Sequence, residues 1–152
     1  MTTGYIFMGF DPGLSGGMAT VDGAGFASTQ PIPVAGGEID IATITDDLAS
    51  VALAGDIIAV VEAVHSMPKQ GVASTFKFGK GYGKILGMLE ALKIRTMLVT
   101  PQAWKAVILA GTPKDKDAAV AWCRGDRREI VGGVALAMRR RFDIFQRVRA
   151  VG

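Results

Sequence analysis

Short apolar runs, separated by glycine and proline breaks, mark out strands and helices along the first hundred residues. Tyr5, Ile6, Phe7, Met8 and Phe10 form a nearly unbroken apolar run, which predicts a buried strand over residues 5–11. Gly16 and Gly17 turn the chain, and residues 17–21 are predicted to return as a second strand. Asp22-Gly23 is a two-residue hairpin signal leading to a third strand over 26–32, which Pro31 and Pro33 end. Ile41, Ile44, Leu48, Val51 and Ala52 then recur with a helical period, predicting a helix over 39–53. Asp40 or Thr43 can cap its start and Gly55 its end. The five unbroken apolar residues of DIIAVVE predict a strand over 56–62 that is covered on both faces, hence central and parallel. Residues 64–74 read as loop, 75–92 as helix despite its glycines, and 96–99 as strand. Pro101 can open a helix that carries Trp104 and Lys105. Two further helices are expected over 115–122 and 130–141.

The predicted order is βββ-α-β-α-β-α. An antiparallel meander followed by two crossover units gives an α/β fold. Its mixed five-stranded sheet should carry helices on both faces. No internal repeat, low-complexity tract or linker divides the chain, and 152 residues suit one domain.

Composition narrows the class. With 49% apolar and 20% charged residues the chain is globular rather than disordered. A net charge of +3 is mild, so the placement of charge matters more than its total. A single cysteine, Cys123, and a single histidine, His65, exclude a disulfide framework and make a structural zinc site untenable. No apolar run approaches the roughly 20 residues that span a membrane, and the N-terminus lacks the features of a signal peptide. The expectation is a reduced, soluble, cytoplasmic protein.

Two predicted core strands end in an acid: Asp11 after YIFMGF and Glu62 after IIAVV. A bare carboxylate is costly at the end of a buried strand unless a cation meets it. If the strands are neighbours, the two carboxylates emerge together and repel, which a divalent cation would relieve. Oxygen ligands without cysteine or histidine clusters favour Mg²⁺ or Mn²⁺. Alternatively, each acid caps its strand and meets water or an arginine. A phosphate-cradling loop around Gly13, Gly16 and Gly17 is less apt, because no Gly-Lys-Ser/Thr triplet follows.

Three stretches resemble the RuvC-type Holliday-junction resolvases, especially their phage-like branch: GFDPGLSGGMA, VVEAVHSMPKQGVASTFKFGKGYGKILGMLEAL and VTPQAWK. The resemblance spans about residues 6–117. It implies the ribonuclease H-like fold, with Asp11 and Glu62 as metal-binding catalytic acids. The enzyme would be a Mg²⁺-dependent homodimer that nicks branched DNA such as four-way junctions, by two-metal hydrolysis leaving a 5′-phosphate. The family draws further acids from its last helix, and here this sequence departs from the pattern. Asp126 and Glu129 have the i, i+3 spacing to share a helix face and are the preferred candidates. An alternative alignment places Gly132 or Gly133 there, which would lose a ligand. Asp115 and Asp117 are further candidates, beside Lys114 and Lys116.

Residues 64–89 contain no acid, while Lys69, Lys77, Lys80 and Lys84 are interleaved with Phe76, Phe78 and Tyr82. Such a mixture, with Gln70, suits phosphate contact plus stacking on exposed bases; equally, it can be a solvated basic face over core aromatics. Lys105 is a further phosphate contact, with Trp104 as core. Gly79, Gly83 and Gly87 share one helix face. That face can pack within the chain or form a two-fold dimer contact. His65 suits either a loop hydrogen bond or a contact to a scissile phosphate. The tail after residue 123 carries eight arginines against three acids, as a DNA grip or a solvated helix. Two other functions remain open: a branched-DNA-binding protein of the same fold with weak or no catalysis, and an actin-like kinase or ATPase fragment.

Overall fold

The computed structural model describes residues 4–24, 26–63 and 71–108. Its main sheet has five strands: β1 (Tyr5–Phe10), β2 (Gly17–Val21), β3 (Ala27–Pro31), β6 (Asp56–Glu62) and β7 (Arg95–Val99). They lie in the order β3-β2-β1-β6-β7. β1 pairs antiparallel with β2 and parallel with β6, and β6 pairs parallel with β7. This is the mixed sheet expected of the ribonuclease H-like fold, with the DIIAVVE strand interior, between β1 and β7, as its apolar run suggests. β3 is an edge strand, where Pro31 is tolerated because no further ladder needs its missing N–H.

Helix α1 (Ile41–Ala52) and helix α2 (Val72–Ala91) cover one face of the sheet. Met8, Phe10, Ala59 and Val61 on that face meet Ile44 and Leu48 of α1 and Ile85 and Leu89 of α2 in the main core. Phe7, Val21 and Ile58 form a second buried cluster on the opposite face. A short helix, α3 (Pro101–Ile108), follows β7. The helices expected over 115–122 and 130–141 lie outside the described residues. Among the described residues, no helix is long and apolar enough to cross a membrane.

Local chemistry explains most boundaries. Asp40, not Thr43, is the N-cap of α1; its carboxylate accepts from the backbone N–H groups of Ala42 and Thr43, and the Thr43 hydroxyl donates to it at 2.8 Å. Gly55 is not the C-cap, which falls on Leu53. Helix α2 starts at Val72, three residues before its expected start, because Gly71 supplies an extended N-cap backbone. It ends in a Schellman turn with Lys93 at φ 56°, where Ile94 N–H donates to the Leu89 carbonyl and Lys93 N–H to that of Glu90.

Two turns differ from expectation. Asp22-Gly23 is not a two-residue hairpin. Register places Val21 opposite Ala27, and the Asp22 carboxylate accepts from Ala24 and Phe26 N–H groups to close a longer loop. The true two-residue hairpin is Gly36-Gly37, joining β4 (Val34–Ala35) to β5 (Glu38–Ile39). Both glycines have positive φ, 58° and 74°, as a type I′ turn demands.

Candidate active site

Asp11 leaves β1 where the glycine-rich loop begins, and Glu62 is the last residue of β6. Phe10 is paired with Val61 across the parallel ladder. Continued by one residue, that register sets Asp11 beside Glu62, with Cα atoms roughly 5 Å apart. Strand alternation puts Glu62 on the face of Ile58 and Val60, and Asp11 on that of Phe7 and Gly9. These are the same face, away from the main core. The fold therefore brings the two strand-end acids to one corner of the sheet.

The loop that aims Asp11 is held by backbone. Asp11 N–H donates to the Gly17 carbonyl and Gly16 N–H to that of Gly13, both at 2.9 Å. A side chain at position 16 would place its Cβ 2.1 Å from the Asp11 carbonyl oxygen and 2.9 Å from the Gly13 nitrogen. Pro12 is fully buried and anchors the loop from below. Partial burial pushes the Asp11 carboxyl above its usual 3.8, and the Gly13 N–H beside it pulls back only in part. Although the residue presents surface to solvent, its carboxyl is partly desolvated, which disfavours the charged form.

Glu62 is braced from α3. The Trp104 indole N–H donates to Glu62 Oε1 at 3.2 Å, and the Lys105 ammonium lies 5.5 Å from the Trp104 ring centroid. Thr100, just before α3, accepts from Ala103 N–H with its hydroxyl, while Ala63 N–H donates to the Val99 carbonyl and carries the β6–β7 ladder past Glu62. Trp104, expected as core, is half-buried and polar in role. A tryptophan N–H in a packed setting needs a partner, and that need was the available signal.

Asp11 and Glu62 are hard oxygen donors and fit Mg²⁺ or Mn²⁺ rather than a thiolate-preferring metal. Among the described residues, no group of three or more His, Cys, Asp or Glu side chains gathers there. Asp126, Glu129, Asp115 and Asp117 lie outside the described residues, as do His65, Lys69, Gln70 and the arginine-rich tail.

The rest of the basic stretch forms the first half of α2. Phe76 is 74% exposed, with Val72 one turn before it 88% exposed. Tyr82 packs against the main core and Phe78 is half-buried. Lys77 is exposed. Lys80 and Lys84 both pair with one carboxylate, that of Glu38 on β5, with Lys84 Nζ at 2.6 Å. Those two ammonium groups hold the Glu38 carboxyl down at about 2. Gly79, Gly83 and Gly87 are exposed, with no described atom near the space a Cβ would fill. The glycine of α2 that faces a close neighbour is Gly81, where a Cβ would meet the Ile39 Cδ1 methyl at 2.9 Å. A cavity of about 410 Å³ opens between loop 12–15, the Gly37–Glu38 corner and this part of α2.

No family model matches the chain, and no curated protein matches it. Solved structures do share its fold. One is the Thermus thermophilus RuvC structure, with a TM-score of 0.52 at 16% identity, covering 87% of this chain and 90% of that one. Another is T. thermophilus RuvC in complex with a Holliday junction substrate, with a TM-score of 0.55 at 14% identity and the same coverage of both chains.

Proposed function

We propose that this chain is a divalent-metal-dependent endonuclease for branched DNA, with Asp11 and Glu62 as two of the acids that hold the metal. The observation that carries this reading is the parallel register of β1 and β6 up to Phe10 and Val61, which, continued by one residue, would set the two strand-end acids side by side on one face. It is supported by the shared fold with RuvC, a protein whose structure includes a Holliday junction complex. When bound, divalent cations at such a site supply charge that stabilises a phosphodiester during hydrolysis.

The chain's own residues have separable tasks. Asp11 offers a carboxylate aimed by the Pro12–Gly16 turn. Trp104 fixes one oxygen of Glu62 and leaves the other for a cation. Asp126 and Glu129 are the proposed further acids. Phe76, Lys77, Tyr82 and Lys105 are proposed DNA contacts, together with Lys69 and Gln70. The outward glycine stripe of α2 supports a homodimer, which would suit two symmetric cuts in a four-way junction.

The test is a labelled four-way junction incubated with Mg²⁺, Mn²⁺ or EDTA. Paired nicks with either metal and none in EDTA are expected. Binding without nicks in both metals would favour the non-catalytic branched-DNA binder, a reading kept because only two acids converge among the described residues. Nucleotide hydrolysis without nicking would favour the actin-like kinase or ATPase reading.

Trp104→Phe keeps the ring and removes the N–H. Loss of such a supporting hydrogen bond should raise the Mg²⁺ concentration for half-maximal nicking about 10- to 100-fold. Junction affinity in EDTA should stay unchanged. An unaltered Mg²⁺ titration would show that Trp104 does not position Glu62.

A further inference from the structure

The basic face of α2 is not free. Three ammonium groups converge on the β4–β5 hairpin. Lys80 and Lys84 share the Glu38 carboxylate, and Lys77 Nζ lies 3.9 Å from where a Cβ on Gly37 would stand. The cluster keeps a surplus of positive charge at the mouth of the cavity beside loop 12–15, the loop that follows Asp11.

The hairpin is built to present this one carboxylate. Strand alternation sends Ile39 into the core and Glu38 the other way, to the lysines. Ile39 is 4% exposed and belongs to the main core, its side chain lying beside Gly81 of α2, so the hairpin is tied to the core through this residue. The Glu38 side chain is partly exposed, so it has room to swing away while Ile39 stays in the core. A phosphate entering the cavity would meet the same two ammonium groups that Glu38 already holds.

We propose that Glu38 is an internal competitor for phosphate, holding Lys80 and Lys84 until a backbone phosphate at the cavity mouth displaces it. This rests on the reading of α2 as a nucleic-acid surface. The occupant is one phosphate of a DNA strand, taken beside the Asp11 loop rather than at the paired acids themselves. Displacement hands two cations from a carboxylate to a phosphate, so binding in the wild type gains less than the lysine count suggests.

The experiment measures affinity for a linear duplex and a four-way junction in EDTA, at several salt concentrations. It compares wild type, Glu38→Gln, Lys80→Gln/Lys84→Gln, and the triple variant, each checked for its thermal transition. Glu38→Gln should bind both DNAs about three- to tenfold tighter, and its slope of log affinity against log salt should steepen by about one to two. The lysine substitutions should weaken binding much more in the Glu38→Gln background than in wild type. A folded Glu38→Gln that binds no tighter than wild type would overturn the proposal while leaving the nuclease reading intact. So would equal lysine effects in both backgrounds, which would mean a diffuse charge effect. A folded wild type that binds neither DNA would overturn both readings.

Discussion

Asp11→Asn should lower junction nicking by about 10³-fold or more, with junction binding in EDTA retained. The amide keeps the size of the side chain and can still accept from Gly13 N–H, so the loop should survive. What it loses is the negative charge beside Glu62. The pH dependence has a definite sign. Burial raises the folded Asp11 carboxyl above 3.8, so the folded chain holds this proton more tightly than the unfolded chain does. Stability therefore falls as pH rises from 3.8 through the raised value, and the ionised acid is a liability at neutral pH until a cation joins it. Asn removes that liability. The variant should melt no lower than wild type at neutral pH, and its melting temperature should respond less to Mg²⁺. A variant that nicks at the wild-type rate would remove Asp11 from the chemistry.

Gly16→Ala should be the most damaging single-methyl change in the described chain. Its Cβ would lie 2.1 Å from the Asp11 carbonyl oxygen and 2.9 Å from both the nitrogen and the oxygen of Gly13. All three are backbone atoms, so no flexible side chain can yield. Relief requires opening the 13–16 turn, which also carries the Asp11–Gly17 hydrogen bond. A loss of about 3 kcal/mol is expected, with a fall in melting temperature on the order of 10 °C. Nicking should fall further than the folded fraction, because the displaced carbonyl belongs to Asp11 itself. Gly13→Ala is the control: its Cβ would find nothing nearer than 3.6 Å, an ordinary contact. Equal melting temperatures for the two variants would show that the turn is not backbone-locked.

The strands and the acids at their ends were legible because burial writes itself locally. The short unbroken run IIAVV, bounded by acids, points to a covered strand, and an acid closing such a run needs an explanation wherever the strand is placed. The Asp40 cap was legible for the same reason, since its partners lie two and three residues away. The Gly36-Gly37 hairpin is equally local, since two adjacent glycines supply the two positive φ angles its turn requires.

Charge and support at the site were not legible, because their partners are distant in the chain. Residues 64–89 hold no acid, yet Glu38 meets Lys80 and Lys84 across 42 and 46 positions. Trp104 reaches Glu62 across 42 positions and changes from core ring to hydrogen-bond donor. By itself the sequence determined which segments must be buried and which acids end them, because hydrophobic period and strand length act over a few residues. Only the tertiary structure decided which charges are already paired and which oxygen is braced. Ion pairs and side-chain hydrogen bonds depend on separations in space, and those are set when the sheet and its helices close on one another.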